Sequence, residues 1–278
     1  MKIGIIDIIG APYDGSTIDR QGLGGSESAV CLMSRELFKL GFDVAVFTNC
    51  DLNNCQPGIY NGVSYHTLEE LKKDWQFDIV ISSRTVIPFV DPPDYEQLGD
   101  RRAQRFKDFD LYNRIVSRAR IRALWMHDTF CLGDNLLEGL AVADRITDIF
   151  TLSDFHLTYV ANCNHGRRRN FETLKRKLFI TRNGARSLTP VSIPNKNPNQ
   201  FVYNASVSKG MIPLVKEIWP RVKAQIPSAE LTVIGGFYIF NKNDAPDAQE
   251  QDWRAMVADP AYKALDIIFT GVIPQQRV

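Results

Sequence analysis

Several residues in this chain stand where they could do chemistry. The loop GLGGSE at residues 22–27 opens what reads as a helix. Gly24 and Gly25 let a ligand come close to the backbone there, and the unpaired N–H groups of a helix start favour an anion. Lys209 sits in a Ser-Lys-Gly turn before a second helix. A solvated lysine in a first turn opposes the helix dipole, so an anion such as phosphate accounts for it better. His127 ends a β-rich run with Asp128 beside it. An imidazole there can hold a hydroxyl or a developing charge near neutral pH, although a lone strand-end histidine is often only a satisfied polar residue. Ser82, Ser83, Arg84, Ser153 and Asn183 fall at the ends of other β-rich runs, more polar convergence than a structural sheet needs.

Other chemistries find less support. Formal net charge is +1, which gives no global field for nucleic acid or membrane. The cysteines, Cys31, Cys50, Cys55, Cys131 and Cys163, are odd in number, scattered and without a C-x-x-C pair, which fits free thiols in a reducing compartment. The N-terminus MKIGIIDIIG is too short for a signal peptide, and no apolar run could span a bilayer, so a cytoplasmic protein is expected. Asp108-Phe109-Asp110 has the D-x-D form of a metal site but falls in a charged, helix-compatible stretch, and no His/Cys cluster has zinc spacing. Residues 22–27 depart from G-x-G-x-x-G at Glu27, which argues against a nicotinamide site; close packing at the glycines is the plain alternative. Residues 161–186 carry eight basic side chains against Glu172, either a solvated helix face or a peripheral contact with anionic lipid.

The elements that must position these groups follow from periodicity. Val30, Met33, Leu37 and Leu40 predict one apolar face on a helix after the glycine loop, with Ser26 as N-cap and Gly41 as stop. Strands are predicted at 3–9, 42–48, 63–66, 78–82, 121–127, 149–153 and 178–181, with a looser segment at 50–60. Alternation with helical stretches predicts α/β architecture and a mainly parallel sheet, whose ligands sit beyond the carboxyl ends of the strands. Residues 185–199 read as a linker; strands at 200–203, 231–235 and 267–271 then flank a helix over 209–226 and a polar insertion at 241–252. Met211, Leu214, Val215, Ile218, Val222 and Ile226 form that helix's apolar face, with Pro220 a candidate kink.

GGSESAVCLMSRELFKLGFDVAVFT, ALWMHDTF, DIFTLSDFH, FITRNGAR, SKGMIPLV and AELTVIGG occur in the order and spacing of glycosyltransferase family 4, which the chain therefore resembles. The resemblance implies a GT-B fold: an acceptor-side Rossmann-like domain over 1–186, a linker at 187–199, and a donor-nucleotide domain from 200, across a cleft. It implies retaining transfer of a sugar from a nucleotide diphosphate to a hydroxyl of a glycan or lipid-linked acceptor, with no essential metal or cofactor and no nucleic-acid partner. His127 would contact the transferring sugar. Lys209 would hold the diphosphate, with Gly24 and Gly25 lining the site. Asn204 stands where the family has an arginine, so Arg182 or Arg186 would substitute for it. Glu27, Arg84, Asp128, Ser153 and Asn183 are candidates for the acceptor side. The family's E-x7-E segment does not occur before Val278, so a fragment is expected. The alternatives are a non-catalytic nucleotide- or glycan-binding scaffold and, more distantly, a nicotinamide-dependent oxidoreductase.

Overall fold

The structure, a computed structural model, describes residues 1–98, 106–162, 170–184, 197–235 and 248–273. It divides into two units, Met1–Ser16 with Gly25–Ala185, and Thr17–Gly24 with Arg186–Val278.

The first unit is built on an eight-stranded sheet. Its strands are β1 (Lys2–Ile6), β2 (Asp43–Thr48), β3 (Gly58–Tyr60), β4 (Val63–Thr67), β5 (Ile79–Ser83), β6 (Ile121–Trp125), β7 (Asp148–Thr151) and β8 (Leu178–Ile180). They lie in the order β3-β4-β2-β1-β5-β6-β7-β8, and every pair is parallel except β3–β4. Short apolar runs such as KIGII and DVAVFT suit this centre because both faces of a parallel sheet are covered, and all but the first residue of each is buried or nearly so. The chain moves outward from β1 through β2 to β4, then returns to β5 on the other side of β1. The carboxyl ends of β1 and β5 therefore flank a topological switch point. The first strand stops at Ile6 rather than Ile9, which leaves Asp7 at that end.

The glycine loop does lead into a helix. A short helix α1 (Thr17–Arg20) precedes α2, which runs from Gly25 to Lys39. Gly41, at φ +88°, ends it, its N–H donating to the Phe38 carbonyl at 2.9 Å. Ser26 is not the cap, because it lies inside the first turn with its hydroxyl 3.3 Å from Glu27 Oε2. The expected apolar face is rotated too: Glu27, Ser28, Val30, Cys31 and Ser34 are buried, whereas Met33 and Leu40 are 37% and 74% exposed. Polar members survive on the inner face because they are satisfied there. Ser34 donates to the Cys31 carbonyl at 3.0 Å and lies 3.3 Å from the Tyr65 hydroxyl. Asp108-Phe109-Asp110 is a turn and not a helix; Phe109 is buried and Asp110, at φ +44°, accepts from the Asn113 amide. Whereas α1 falls in the second unit, the first also carries the α-helices α3 (Asp134–Val142), α4 (Asp154–Asn162) and α5 (Phe171–Arg176), besides 3-10 turns and a π-wound turn at Tyr112–Val116.

In the second unit β9 (Gln200–Asn204), β10 (Glu230–Ile234) and β11 (Ile267–Gly271) form a parallel sheet in the order β11-β10-β9. The helix expected over 209–226 is present over 211–225, but its winding changes along its length. A 3-10 turn at Val207–Lys209 precedes Gly210, a π-wound stretch covers Leu214–Ile218, and α6 spans Trp219–Gln225. Pro220 lacks an N–H, and the Trp219 N–H reaches back to the Leu214 carbonyl. This wider winding moves the inner face by one residue, so Trp219 is buried where Ile218 was expected and Ile218 is 51% exposed. Part of the expected polar insertion is helix α7 (Ala248–Ala258), which sends Trp253 and Met256 into the core beside Met211, Val215 and Leu231. No helix among the described residues is long and apolar enough to cross a membrane.

Candidate functional site

Charge is concentrated at the switch point of the first unit. Asp7, just past β1, is fully buried and accepts from the Tyr13 hydroxyl at 3.0 Å. Arg84, just past β5, holds a left-handed backbone at φ +61°, uncommon for a residue with a side chain. Neighbours fix that conformation from both sides: its N–H donates to the Trp125 carbonyl at 3.0 Å, and its carbonyl accepts from the Leu132 N–H at 2.9 Å. Its Nη2 then lies 2.8 Å from Glu27 Oε1 and 3.5 Å from Asp7 Oδ1. Glu27 Oε1 also accepts from the Ala11 N–H at 3.2 Å. One carboxylate thus ties the loop after β1, the start of α2 and the end of β5 together.

These surroundings set the protonation states. Burial pushes the Asp7 carboxyl up to about 6, and Glu27 adds to the rise against the opposing pull of Arg84 and Tyr13. Burial alone would weaken the Arg84 charge, but Asp7 and Glu27 outweigh it and raise its pKa. His127, past the end of β6, is lowered to about 4, first by burial and then by Arg84, against Asp128 and Glu27. It is therefore a neutral imidazole at pH 7. The Trp125 ring packs against it at 4.4 Å between centroids. His156, in the first turn of α4, accepts from the Leu152 N–H through Nδ1 at 3.2 Å, which leaves the proton of its neutral ring on Nε2. Its pKa is also lowered by burial.

Five polar atoms in this region are buried with no hydrogen-bond partner among the described residues: Asp7 Oδ1, Ser83 Oγ, Arg84 Nε, Trp125 Nε1 and His127 Nε2. They occupy the ends of three adjacent strands. Ser83 is in register with Trp125, and Asp7 follows the Ile6–Ser82 pair, so the three share one row across the sheet. Native proteins leave few buried polar atoms unpaired, and a group of them at a switch point marks a place built for more than packing.

The structure brings Glu27 and Arg84 together at 2.8 Å, and the charges of both act on His127, with Asp128 exposed beside it in sequence. The Arg84 guanidinium is already engaged by carboxylates of its own chain. Ser153 caps α4, its hydroxyl accepting from the His156 N–H at 3.1 Å. Gly25 is the first residue of α2, and a Cβ there would meet nothing within 4 Å among the described residues, so it has no packing role; Gly24 lies in the loop before it. Arg182, at φ +59°, and Asn183 are exposed beyond β8. In the second unit Asn204 ends β9, and Lys209 stands exposed just before Gly210, itself at φ +96°. Arg186, with His165 and Arg167–Arg169 of the basic stretch, lies outside the described residues. Lys177 of that stretch is no surface cation for lipid: its Nζ donates to the Ala141 and Ile146 carbonyls and to Asp144, each at 2.7 Å.

Sequence reasoning missed Asp7, Tyr13 and His156. Asp7 had a usable signal, a lone charge inside the apolar run IGIIDIIG. His156 had none, because only tertiary packing buries it. No group of three or more His, Cys, Asp or Glu among the described residues could hold a metal ion.

No protein-family model and no curated protein sequence matches the chain. Solved structures do. The chain is similar to a sucrose-phosphate synthase from Thermosynechococcus elongatus at 14% identity and a TM-score of 0.53, over 98% of this chain and 70% of that one. It is likewise similar to an alpha-glucosyltransferase (AGT) in complex with UDP at 13% identity and a TM-score of 0.54, over 100% of this chain and 70% of that one. The fold is thus α/β and GT-B-like, with the Rossmann-like architecture of these glycosyltransferases.

Proposed function

We propose that the chain is a retaining glycosyltransferase that moves a sugar from a nucleotide-diphosphate sugar to a hydroxyl acceptor in polysaccharide, glycan or glycolipid synthesis. The observation that carries this reading is the cluster of buried, partly unpartnered polar groups at the switch point, around a neutral His127, in a glycosyltransferase-like fold. In this reading residues 1–186 serve the acceptor side and residues from 200 the donor nucleotide. His127 holds a hydroxyl of the transferring sugar; as a neutral ring it can do so without a competing charge. Departure of the nucleotide diphosphate builds negative charge, which fixed cations and N–H donors must meet. Lys209, exposed ahead of Gly210, is suited to that task, and the UDP bound to one structural neighbour supports a nucleotide donor.

The test is nucleotide-diphosphate release from a panel of nucleotide sugars, with glycan and lipid-linked acceptors, by the parent and by His127→Ala. Release that depends on acceptor and falls at least about a hundredfold in the variant is expected, the usual scale for a group acting on charge in the transition state. Binding of nucleotide diphosphate with no release from any sugar would instead make the chain a binding protein. Neither binding nor release would overturn the proposal.

A further inference from the structure

We propose that Glu27 and Asp7 make the switch point of the first unit selective for an uncharged, hydroxylated acceptor: by sharing the Arg84 guanidinium, they withdraw the cation that a phosphorylated acceptor would need. The inference rests on the transferase reading and narrows its substrate class. Its first support is the ion pairing. Arg84 Nη2 lies 2.8 Å from Glu27 Oε1 and 3.5 Å from Asp7 Oδ1, so two carboxylates face one guanidinium. Glu27 is fixed in that role, because the Ala11 N–H donates to its Oε1 at 3.2 Å and the Ser26 hydroxyl lies 3.3 Å from its Oε2. The Arg84 backbone is held by hydrogen bonds to Trp125 and Leu132, so the side chain starts from a fixed point. Asp128, exposed past the end of β6, is a further carboxylate on the approach. A phosphate brought to this strand end meets like charge that one shared guanidinium does not offset.

The second support is the pattern of unpartnered atoms. Ser83 and Trp125 are in register on adjacent parallel strands, and Asp7 follows the Ile6–Ser82 pair, so the three side chains share one face of the sheet. Each is at most 4% exposed. The Trp125 ring meets His127 at 4.4 Å between centroids, which continues the row. Asp7 Oδ1, Ser83 Oγ, Arg84 Nε, Trp125 Nε1 and His127 Nε2 have no hydrogen-bond partner among the described residues. Phosphate only accepts, so a site for it is made of donors. Here Arg84 Nε and Trp125 Nε1 only donate, an ionised Asp7 only accepts, and the Ser83 hydroxyl does either. Hydroxyl groups, which both donate and accept, match that mixture. Arg84 and His127 are the partly exposed members, so a ligand meets them first, and its hydroxyls or a bridging water can pair the atoms behind them.

The test is ligand-observed saturation-transfer NMR on the full chain with matched probes, the methyl glycosides of glucose, galactose and mannose and the 6-phosphate of each. Parent and Glu27→Gln are compared with Lys209→Ala present in both, so that the lysine of the second unit does not capture the phosphate. At least one neutral glycoside should bind, and its phosphate at least about tenfold more weakly, as expected for a nearby like charge. Glu27→Gln keeps an amide oxygen for Arg84 and the Ala11 N–H but releases one positive charge, and should cut that gap to about threefold or less. Asp7→Asn should narrow it too, and serves where Glu27→Gln fails to fold. A phosphate bound by the parent as tightly as its glycoside, or a gap unchanged in the folded variant, overturns the inference. So does the absence of neutral binding, or neutral binding that His127→Ala leaves unchanged, since the unpartnered atoms would then hold ordered water only. None of these measurements needs a donor or turnover. Selective glycoside binding without release of nucleotide diphosphate would uphold the inference while the transferase reading fell, and release driven only by phosphorylated acceptors would do the reverse.

Discussion

The carboxyl end of the first unit's sheet and that of the second treat charge in opposite ways. At β1 and β5 the strands are buried on both faces; Asp7 beyond β1 and Glu27 of α2 are buried, and both are paired with the partly buried Arg84 beyond β5. At β9 the strand is largely exposed, and Asn204 at its end and Lys209 beyond it stand in solvent. A buried charge is oriented before any ligand arrives, but its loss strands its partners in a low dielectric. An exposed charge is oriented only by what it binds, so its loss should appear in binding alone.

The largest effect expected from this contrast is on stability. Arg84→Met leaves Asp7 and Glu27 without their cation and should destabilise the first unit by about 3–5 kcal/mol, as a broken buried pair does. Lys209→Ala should stay within about 0.5 kcal/mol of the parent, as for an exposed side chain away from packing. Urea denaturation measures both, and similar midpoints for the two variants would break the comparison. Lys209→Ala should instead weaken nucleotide-diphosphate affinity about tenfold, roughly 1.4 kcal/mol, which calorimetric titration would detect. Unchanged affinity would remove the second unit's charge from the proposed site.

Acidification sharpens the contrast, because buried titrating groups link stability to pH and exposed ones scarcely do. Asp7 titrates near 6 in the folded chain against 3.8 as a free group, so folding takes up a proton between those values and its contribution falls as pH rises through them. His127 titrates near 4 against 6.5, so its contribution is full above 6.5 and is lost as pH falls towards 4. The two oppose one another between about pH 4 and 6. Asp7→Asn removes the first and should make stability drop more steeply on acidification through that window, as urea midpoints at several pH values would record. A slope equal to the parent's would mean that Asp7 does not titrate there.

Much of this organisation was legible in the sequence, and the misses have physical causes. The apolar runs of a buried parallel sheet are distinctive, so the strands fall within a few residues of their expected places, and His127 stands just past the end of β6. The antiparallel β3 was missed although Asn61-Gly62 is a hairpin signal; these residues connect β3 to β4 at φ +52° and +82°. Periodicity misjudged the inner face of α2 because it counts apolar residues, whereas Glu27 and Ser34 are buried with partners distant in sequence. It misjudged the Trp219 face because it assumes 3.6 residues per turn, and the π-wound stretch does not have them. Arg84 was placed correctly at a strand end, but its role depends on Asp7, 77 positions away, and on Glu27, 57 away. A local pattern cannot see such pairs.

The smallest effect expected concerns Gly25, where the two roles of a glycine separate cleanly. As the first residue of α2 it has no strained backbone angle and nothing within 4 Å of a would-be Cβ among the described residues. A methyl group there meets no neighbour, and alanine loses less backbone freedom on folding than glycine. Gly25→Ala should therefore stabilise the chain by about 0.4–1 kcal/mol, read as a small rise in urea midpoint. If the glycine serves close approach of a ligand to the helix start, the same methyl should weaken nucleotide-diphosphate or acceptor binding. Greater stability with unchanged binding would strike Gly25 from the site. Greater stability with weaker binding would mean that the open space over this helix start is kept for a ligand, since nothing in the fold itself requires it.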